Sequence, residues 1–186
     1  NIDSKILSMA GSLLSRLFYG APLTREPLDT VTTCGKNITT IFIVCSSMGV
    51  CQFIGSSIGT LEKLKRLEIE CNCYDVTNII LQSLENKLPL SLVYLRFISF
   101  ELIAPSALNK FLEKCDAPLE TLIISLDWQK YSFEYGYAII KFYDRMHTLK
   151  RLETGSYMDK LVYVAIESCG VKISEIDTFK SLRYCF

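Results

Sequence analysis

The sequence predicts an α/β solenoid in which short parallel strands alternate with helices, and three observations predict it. The pattern L-x-x-L-x-L, with isoleucine or an aromatic residue admitted, recurs six times at near-constant intervals. Between its copies the apolar periodicity changes from two residues to about 3.6, the helical value. No copy is followed by the glycine-rich phosphate loop that many alternating α/β sandwiches carry.

Taken in order, residues 1–37 read as an N-terminal helix, Ile2 to Phe18, and a long connection, Gly20 to Gly35, punctuated by Pro22 and Pro27, with room for a preceding partial repeat. The repeat array follows over 38–186. Its strand signatures are Ile38-x-x-Ile41-x-Ile43, Leu64-x-x-Leu67-x-Ile69, Leu92-x-x-Leu95-x-Phe97 and Leu119-x-x-Leu122-x-Ile124, then the weaker Leu149-x-x-Leu152-x-Thr154 and Ile173-x-x-Ile176-x-Thr178. Their starts are 26, 28, 27, 30 and 24 residues apart, a mean of 27. That is close to the roughly 20–29-residue period of leucine-rich repeats.

Helices fill the intervals. Met48 to Ile58 is the poorest, because Gly49 and Gly55 each cost about 1 kcal/mol against alanine. Asp75 to Leu88 places Val76, Ile79, Ile80, Leu84 and Leu88 on one face behind an Asp75 cap. Ser106 precedes Leu108, Phe111, Leu112 and Cys115, with Pro105 tolerated in the first turn. Ser132 opens a segment holding Phe133, Tyr137, Ile140 and Met146, and Ser156 opens one holding Met158, Leu161, Val162, Ala165 and Cys169. One strand and one helix cannot bury their apolar faces alone, so each of these six repeats needs its neighbours.

Composition narrows the function classes. At 186 residues the chain is one compact unit or one short array. Hydrophobic residues at 49% against charged residues at 22% exclude disorder as the main state. Twenty Lys and Arg balance twenty Asp and Glu, which leaves no net field for nucleic acid or an anionic membrane. The apolar runs fall far short of the roughly 18 residues that span a bilayer, and Arg16 interrupts the one stretch, Lys5 to Ala21, that resembles a signal peptide.

Most of the eight cysteines are read as reduced core thiols in an intracellular protein, because Cys51, Cys115 and Cys169 fall on helical stripes. The close pairs Cys71-Asn-Cys73 and Cys45-x5-Cys51 lack the C-x2-C spacing, and with His147 the single histidine neither a metal nor another cofactor is expected. The sequon Asn37-Ile38-Thr39 falls at a strand and is read as chance.

Residues 38 to 179 resemble the irregular leucine-rich repeats that follow the F-box in F-box proteins, notably LEKLKRLEIECN (61–72), LPLSLVYLRF (88–97) and FLEKCDAPLETLIISL (111–126). In that family the F-box recruits a ubiquitin ligase scaffold and the repeats hold the substrate. The resemblance therefore implies a substrate-recognition region, with the scaffold as a partner only if an F-box lies upstream of Asn1. Residues 1–37 show no F-box. Asn72 alone fills the asparagine position of the repeat; its counterparts are Ser46, Phe100, Asp127, Tyr157 and Ser181.

An enzyme reading rests on His147, which follows Asp144 by three residues, a spacing that lets a carboxylate orient the ring. No nucleophile can be placed beside it from sequence, so a solvated connection is preferred and a cysteine-dependent hydrolase using His147 is the alternative. The basic clusters Lys63-Leu64-Lys65-Arg66 and Lys150-Arg151 are neutralised by Glu62, Glu68 and Glu153. Tyr131, Tyr135, Tyr137 and Tyr143 read as helix packing and rim rather than a platform for bases.

What remains is binding by shape. With positions 4 and 6 of each repeat buried, positions 3, 5 and 7 face the opposite, concave side. These are Thr40, Phe42, Val44; Arg66, Glu68, Glu70; Tyr94, Arg96, Ile98; Thr121, Ile123, Ser125; Arg151, Glu153, Gly155; and Glu175, Asp177, Phe179. Tyrosine and arginine are enriched at binding hot spots. A protein partner is expected on Arg66, Glu68, Tyr94, Arg96, Ile123, Arg151 and Glu153. The tail, with Leu182, Tyr184 and Phe186, is expected to cap the last repeat.

Overall fold

The computed structural model describes residues 15–19, 30, 31, 33, 35–45, 48–71, 76–99, 103–155 and 158–176, with backbone alone at 19, 48–50 and 52. Among the described residues, seven strands form one all-parallel sheet in which every strand pairs with the next in the chain. They are β1 (Arg16–Tyr19), β2 (Thr40–Cys45), β3 (Arg66–Cys71), β4 (Tyr94–Ser99), β5 (Thr121–Ile124), β6 (Arg151–Thr154) and β7 (Lys172–Glu175). Helices α1 (Met48–Ile58), α2 (Thr77–Leu84), α3 (Pro105–Glu113), α4 (Trp128–Met146) and α5 (Lys160–Ser168) alternate with β2 to β7, each packed on the next helix.

The motif leucines build the core as the pattern requires. Leu64, Leu67, Leu92, Leu95, Leu119, Leu122 and Leu152 are fully buried, and with the inner helix faces they form one contiguous cluster. At roughly 1.5–3 kcal/mol for each large aliphatic side chain taken out of water, this repeated triad drives folding. Phe42 and Ile123 are buried yet lie outside that cluster, because position 5 points to the other face of the sheet.

A second device fixes the register. The carbonyl just before each of β1 to β5 accepts two backbone hydrogen bonds from the following repeat: Ser15 from Thr39 and Thr40, Thr39 from Lys65 and Arg66, Lys65 from Val93 and Tyr94, Val93 from Glu120 and Thr121, and Glu120 from Lys150 and Arg151. Side chains on the helical side tie the same repeats together through Lys114 to Glu85 at 2.7 Å, Lys141 to Glu113 at 2.8 Å and Arg145 to Asp116 at 3.3 Å.

The structure corrects the sequence reading at several elements. Arg16 to Phe18 are strand, not the end of a helix; Leu17 pairs with Ile41, and Leu14-x-x-Leu17-x-Tyr19 is an unread copy of the repeat pattern. The last repeat is set three residues early, since Arg151 pairs with Lys172 and Leu152 with Ile173. Val171, buried immediately before β7, shortens that connection, and the carbonyl of Lys150 receives only the Lys172 N–H. The β7 residues on the face away from the core are thus Lys172 and Ser174, while Glu175 pairs with Thr154 on the core side; Asp177 and Phe179 lie outside the described residues.

Two helix starts also shift. Asp127 caps α4 by accepting from the Lys130 N–H, and Tyr131 breaks the helical geometry, so Ser132 follows a kink and accepts instead from the Asp159 N–H at 3.1 Å. Asp159 caps α5 through the Leu161 N–H at 2.8 Å, later than the expected start at Ser156. Helix α2 spans only Thr77–Leu84 because Asn86 turns left-handed at φ 54°, and the Asp75 cap lies outside the described residues. Helix α3 starts at Pro105 as its sequence allows.

Candidate functional site

Register places three rows of side chains on the face away from the core. The first runs Arg16, Thr40, Arg66, Tyr94, Thr121, Arg151, Lys172; the second Phe18, Phe42, Glu68, Arg96, Ile123, Glu153, Ser174; the third contains Val44, Glu70, Ile98. Neighbours along a row stand about 4.8 Å apart, and successive rows are separated by two residues of strand.

At the centre, Arg66 Nε donates to Glu68 Oε1 at 2.7 Å and Nη2 donates to the Tyr94 hydroxyl at 3.1 Å, with the guanidinium carbon 3.8 Å from the Tyr94 ring centroid. Arg96 Nη1 lies 3.6 Å from the other Glu68 oxygen. On β6, Arg151 pairs with Glu153. Burial pushes the Tyr94 phenol above its ordinary range, a shift that the adjacent Arg66 opposes. Glu70 is 6% exposed and its carboxylate makes no hydrogen bond or ion pair with another described residue; loss of water raises its carboxyl pKa, against the field of Arg96.

The predicted residues Arg66, Glu68, Tyr94 and Arg96 therefore come together, as does the pair Arg151 and Glu153, while Ile123 is a buried floor between Arg96 and Glu153. Arg66 and Arg96 share the single carboxylate of Glu68. Sequence reasoning missed Arg16, Phe18 and Lys172. Phe18 is 51% exposed and stacks on Phe42 with ring centroids 4.6 Å apart and planes 3° from parallel. The Leu14 to Tyr19 pattern carried the signal for this strand.

Elsewhere, His147 is exposed at the left-handed end of α4, edge-on to Tyr143 at 5.6 Å, and its N–H donates to the Tyr143 carbonyl. Cys45, Cys51, Cys71 and Cys115 are buried thiols outside any disulfide and Cys169 is half-buried. Contact with the Cys45 thiol lowers the Cys51 pKa against the effect of burial, whereas burial pushes Cys115 up to about 11. Cys34, Cys73 and Cys185, and Asn72 of the repeat pattern, lie outside the described residues. Among those described, no group of three His, Cys, Asp or Glu side chains is arranged to hold a metal, and no helix is long and apolar enough to cross a membrane.

The tyrosines of α4 divide in a way the sequence does not announce. Tyr135, expected at the rim, is fully buried, donates to the Ile103 carbonyl, and has its pKa raised to about 12 by burial. Tyr137 and Phe133 are the exposed pair, and with Pro105, Asn109 and Glu134 they line a shallow groove of about 410 Å³ between α3 and α4.

No family model and no curated protein matches the chain. Among solved structures, it is similar to a protein from Bacteroides fragilis whose crystal structure was determined by the Northeast Structural Genomics Consortium. The TM-score is 0.51 at 16% identity, covering 76% of this chain and 41% of the other. The chain thus spans less than half the length of that protein, and the likeness is one of fold.

Proposed function

We propose that this chain is a non-enzymatic protein-binding module of the leucine-rich-repeat type, serving inside the cell as the substrate-recognition region of an F-box-type ubiquitin ligase receptor. The observation that carries the binding part is the register: it gathers Arg66, Glu68, Tyr94 and Arg96 on a face that the core does not use. Strands in strict sequence order, with helices alternating between them, fit a solenoid, whose curved sheet offers extended contact area. The ligase role rests on the repeat resemblance and needs an F-box supplied upstream of Asn1.

The test is affinity purification with mass spectrometry from cells expressing the tagged native gene product, wild type against a Tyr94→Ala, Arg96→Glu double variant. Partners lost with the double variant, together with a ligase scaffold retained by both proteins, support the reading. Partners that survive it and disappear with Phe133→Ala, Tyr137→Ala place the function on the helical face and overturn the concave assignment. Recovery without a ligase scaffold removes the receptor role.

A further inference from the structure

We infer that the β1 end of the concave face, built on Phe18, Phe42 and Arg16, receives an extended segment of a protein partner that carries an aromatic side chain and a carboxylate two residues apart. This rests on the protein-binding reading above and names the partner's chemistry.

Charge selects an acidic occupant. The three rows hold five cations, Arg16, Arg66, Arg96, Arg151 and Lys172, against three carboxylates, Glu68, Glu70 and Glu153. At the centre Arg66 and Arg96 flank one carboxylate, Glu68, and Arg151 holds Glu153. Arg16 is exposed and has no ion pair among the described residues. A carboxylate arriving at Arg16 gains a charge-assisted, two-pronged hydrogen bond without displacing an existing partner, whereas at Arg66 it must compete with Glu68.

Ring stacking selects the aromatic. Phe18 and Phe42 lie parallel on neighbouring strands, and half of Phe18 remains accessible. A ring laid on the exposed part of Phe18 removes apolar surface from water, and aromatic pairs contribute about 0.5–1.5 kcal/mol beyond that burial. Spacing joins the two features. Arg16 and Phe18 are two residues apart on one strand and share a face, so they stand about 6.6 Å apart, the interval between alternate side chains of any extended segment.

A library of random 12-residue peptides displayed on phage, selected on the immobilised full chain, supplies the probes. Binding of the selected peptides, synthesised with fluorescein, is then measured by anisotropy. Enriched sequences should pair an acidic residue with an aromatic one at i, i+2. Phe18→Ala and Arg16→Glu should each weaken binding at least tenfold while circular dichroism spectra show the fold retained, with a lowered melt only for Phe18→Ala, which uncovers Phe42. Enriched peptides that are basic, or that respond to Tyr94→Ala, Arg96→Glu but not to the Phe18 or Arg16 variants, overturn this inference and leave the concave reading standing. Peptides indifferent to all three variants, or a library that yields none, overturn both.

Discussion

Replacing Gly55 with alanine should destabilise the protein, although helix propensity alone predicts the opposite. A Cβ built at Gly55 falls 1.6 Å from the Ser83 carbonyl oxygen, 2.4 Å from the Ser83 carbonyl carbon and 3.1 Å from the Leu84 nitrogen. All three atoms are backbone at the end of α2, so no side chain can rotate away. Restoring a normal carbon to oxygen contact of about 3.3 Å requires the two helices to part by about 1.7 Å, and a gap of about 1 Å already forfeits up to half of a contact's attraction.

The interface that opens holds Ile54, Ile58, Ile80, Leu81 and Leu84, all at most 1% exposed. Overpacking of this kind costs about 1–3 kcal/mol and more where backbone is the obstacle, against about 1 kcal/mol returned by replacing a helical glycine. With backbone as the obstacle, we expect a net loss of about 2–4 kcal/mol. At about 2–4 °C per kcal/mol for a chain of this size, the melting temperature should fall by about 4–16 °C. Urea unfolding followed at 222 nm measures the loss, with an unchanged m-value showing that the unfolded state is unaffected. An unchanged or raised midpoint would refute the close-approach argument and leave Gly55 as merely a poor helix former.

Three further outcomes follow from the structure. Arg145 donates through Nη2 to the Leu112 and Cys115 carbonyls at 2.8 and 2.7 Å, so Arg145→Ala should cost about 2 kcal/mol and Arg145→Lys should recover only part of it, since lysine lacks the fork; denaturant melts of the two variants decide this. Glu70 has a folded-state pKa above its unfolded value, so the folded protein holds that proton more tightly, and Glu70 contributes its stability below pH 4.5 and loses it as pH rises through the raised value. Glu70→Gln should therefore stabilise the protein at pH 7 and lose that advantage in acid, and a gap between the two proteins that is constant with pH would contradict it. Alkylation of the native protein followed by peptide mass spectrometry should label Cys169 ahead of Cys45, Cys51, Cys71 and Cys115, and rapid labelling of Cys115 would contradict its burial and raised pKa.

How much of this was legible in the sequence depends on the range over which each feature acts. Strand positions from Ile41 to Leu152 could be read because burial alternates every two residues, and a leucine at position 4 either enters the core or leaves an apolar side chain in water. The concave rows followed from the same alternation, which is why Arg66, Glu68, Tyr94 and Arg96 meet as expected. The reading failed where local pattern was ambiguous: Arg16 to Phe18 satisfy helical and strand templates alike, and near Ile173 two registers compete.

Only the tertiary structure decided what depends on atoms one repeat away. Val171 sets β7 three residues early because its burial shortens the connection. Tyr135 turns inward because the Ile103 carbonyl, 32 residues distant in the chain, waits for its hydroxyl. Gly55 changes from a weakness of one helix into a requirement of two because Ser83 presses against it. Glu68 reaches both central arginines, Arg66 on its own strand and Arg96 on the next, whereas Arg16 stands beside the stacked Phe18 and Phe42 with no ion pair among the described residues. Period and polarity act within a few residues and are written along the chain, whereas which groups are left for a partner is set by contacts between repeats that the pattern alone does not specify.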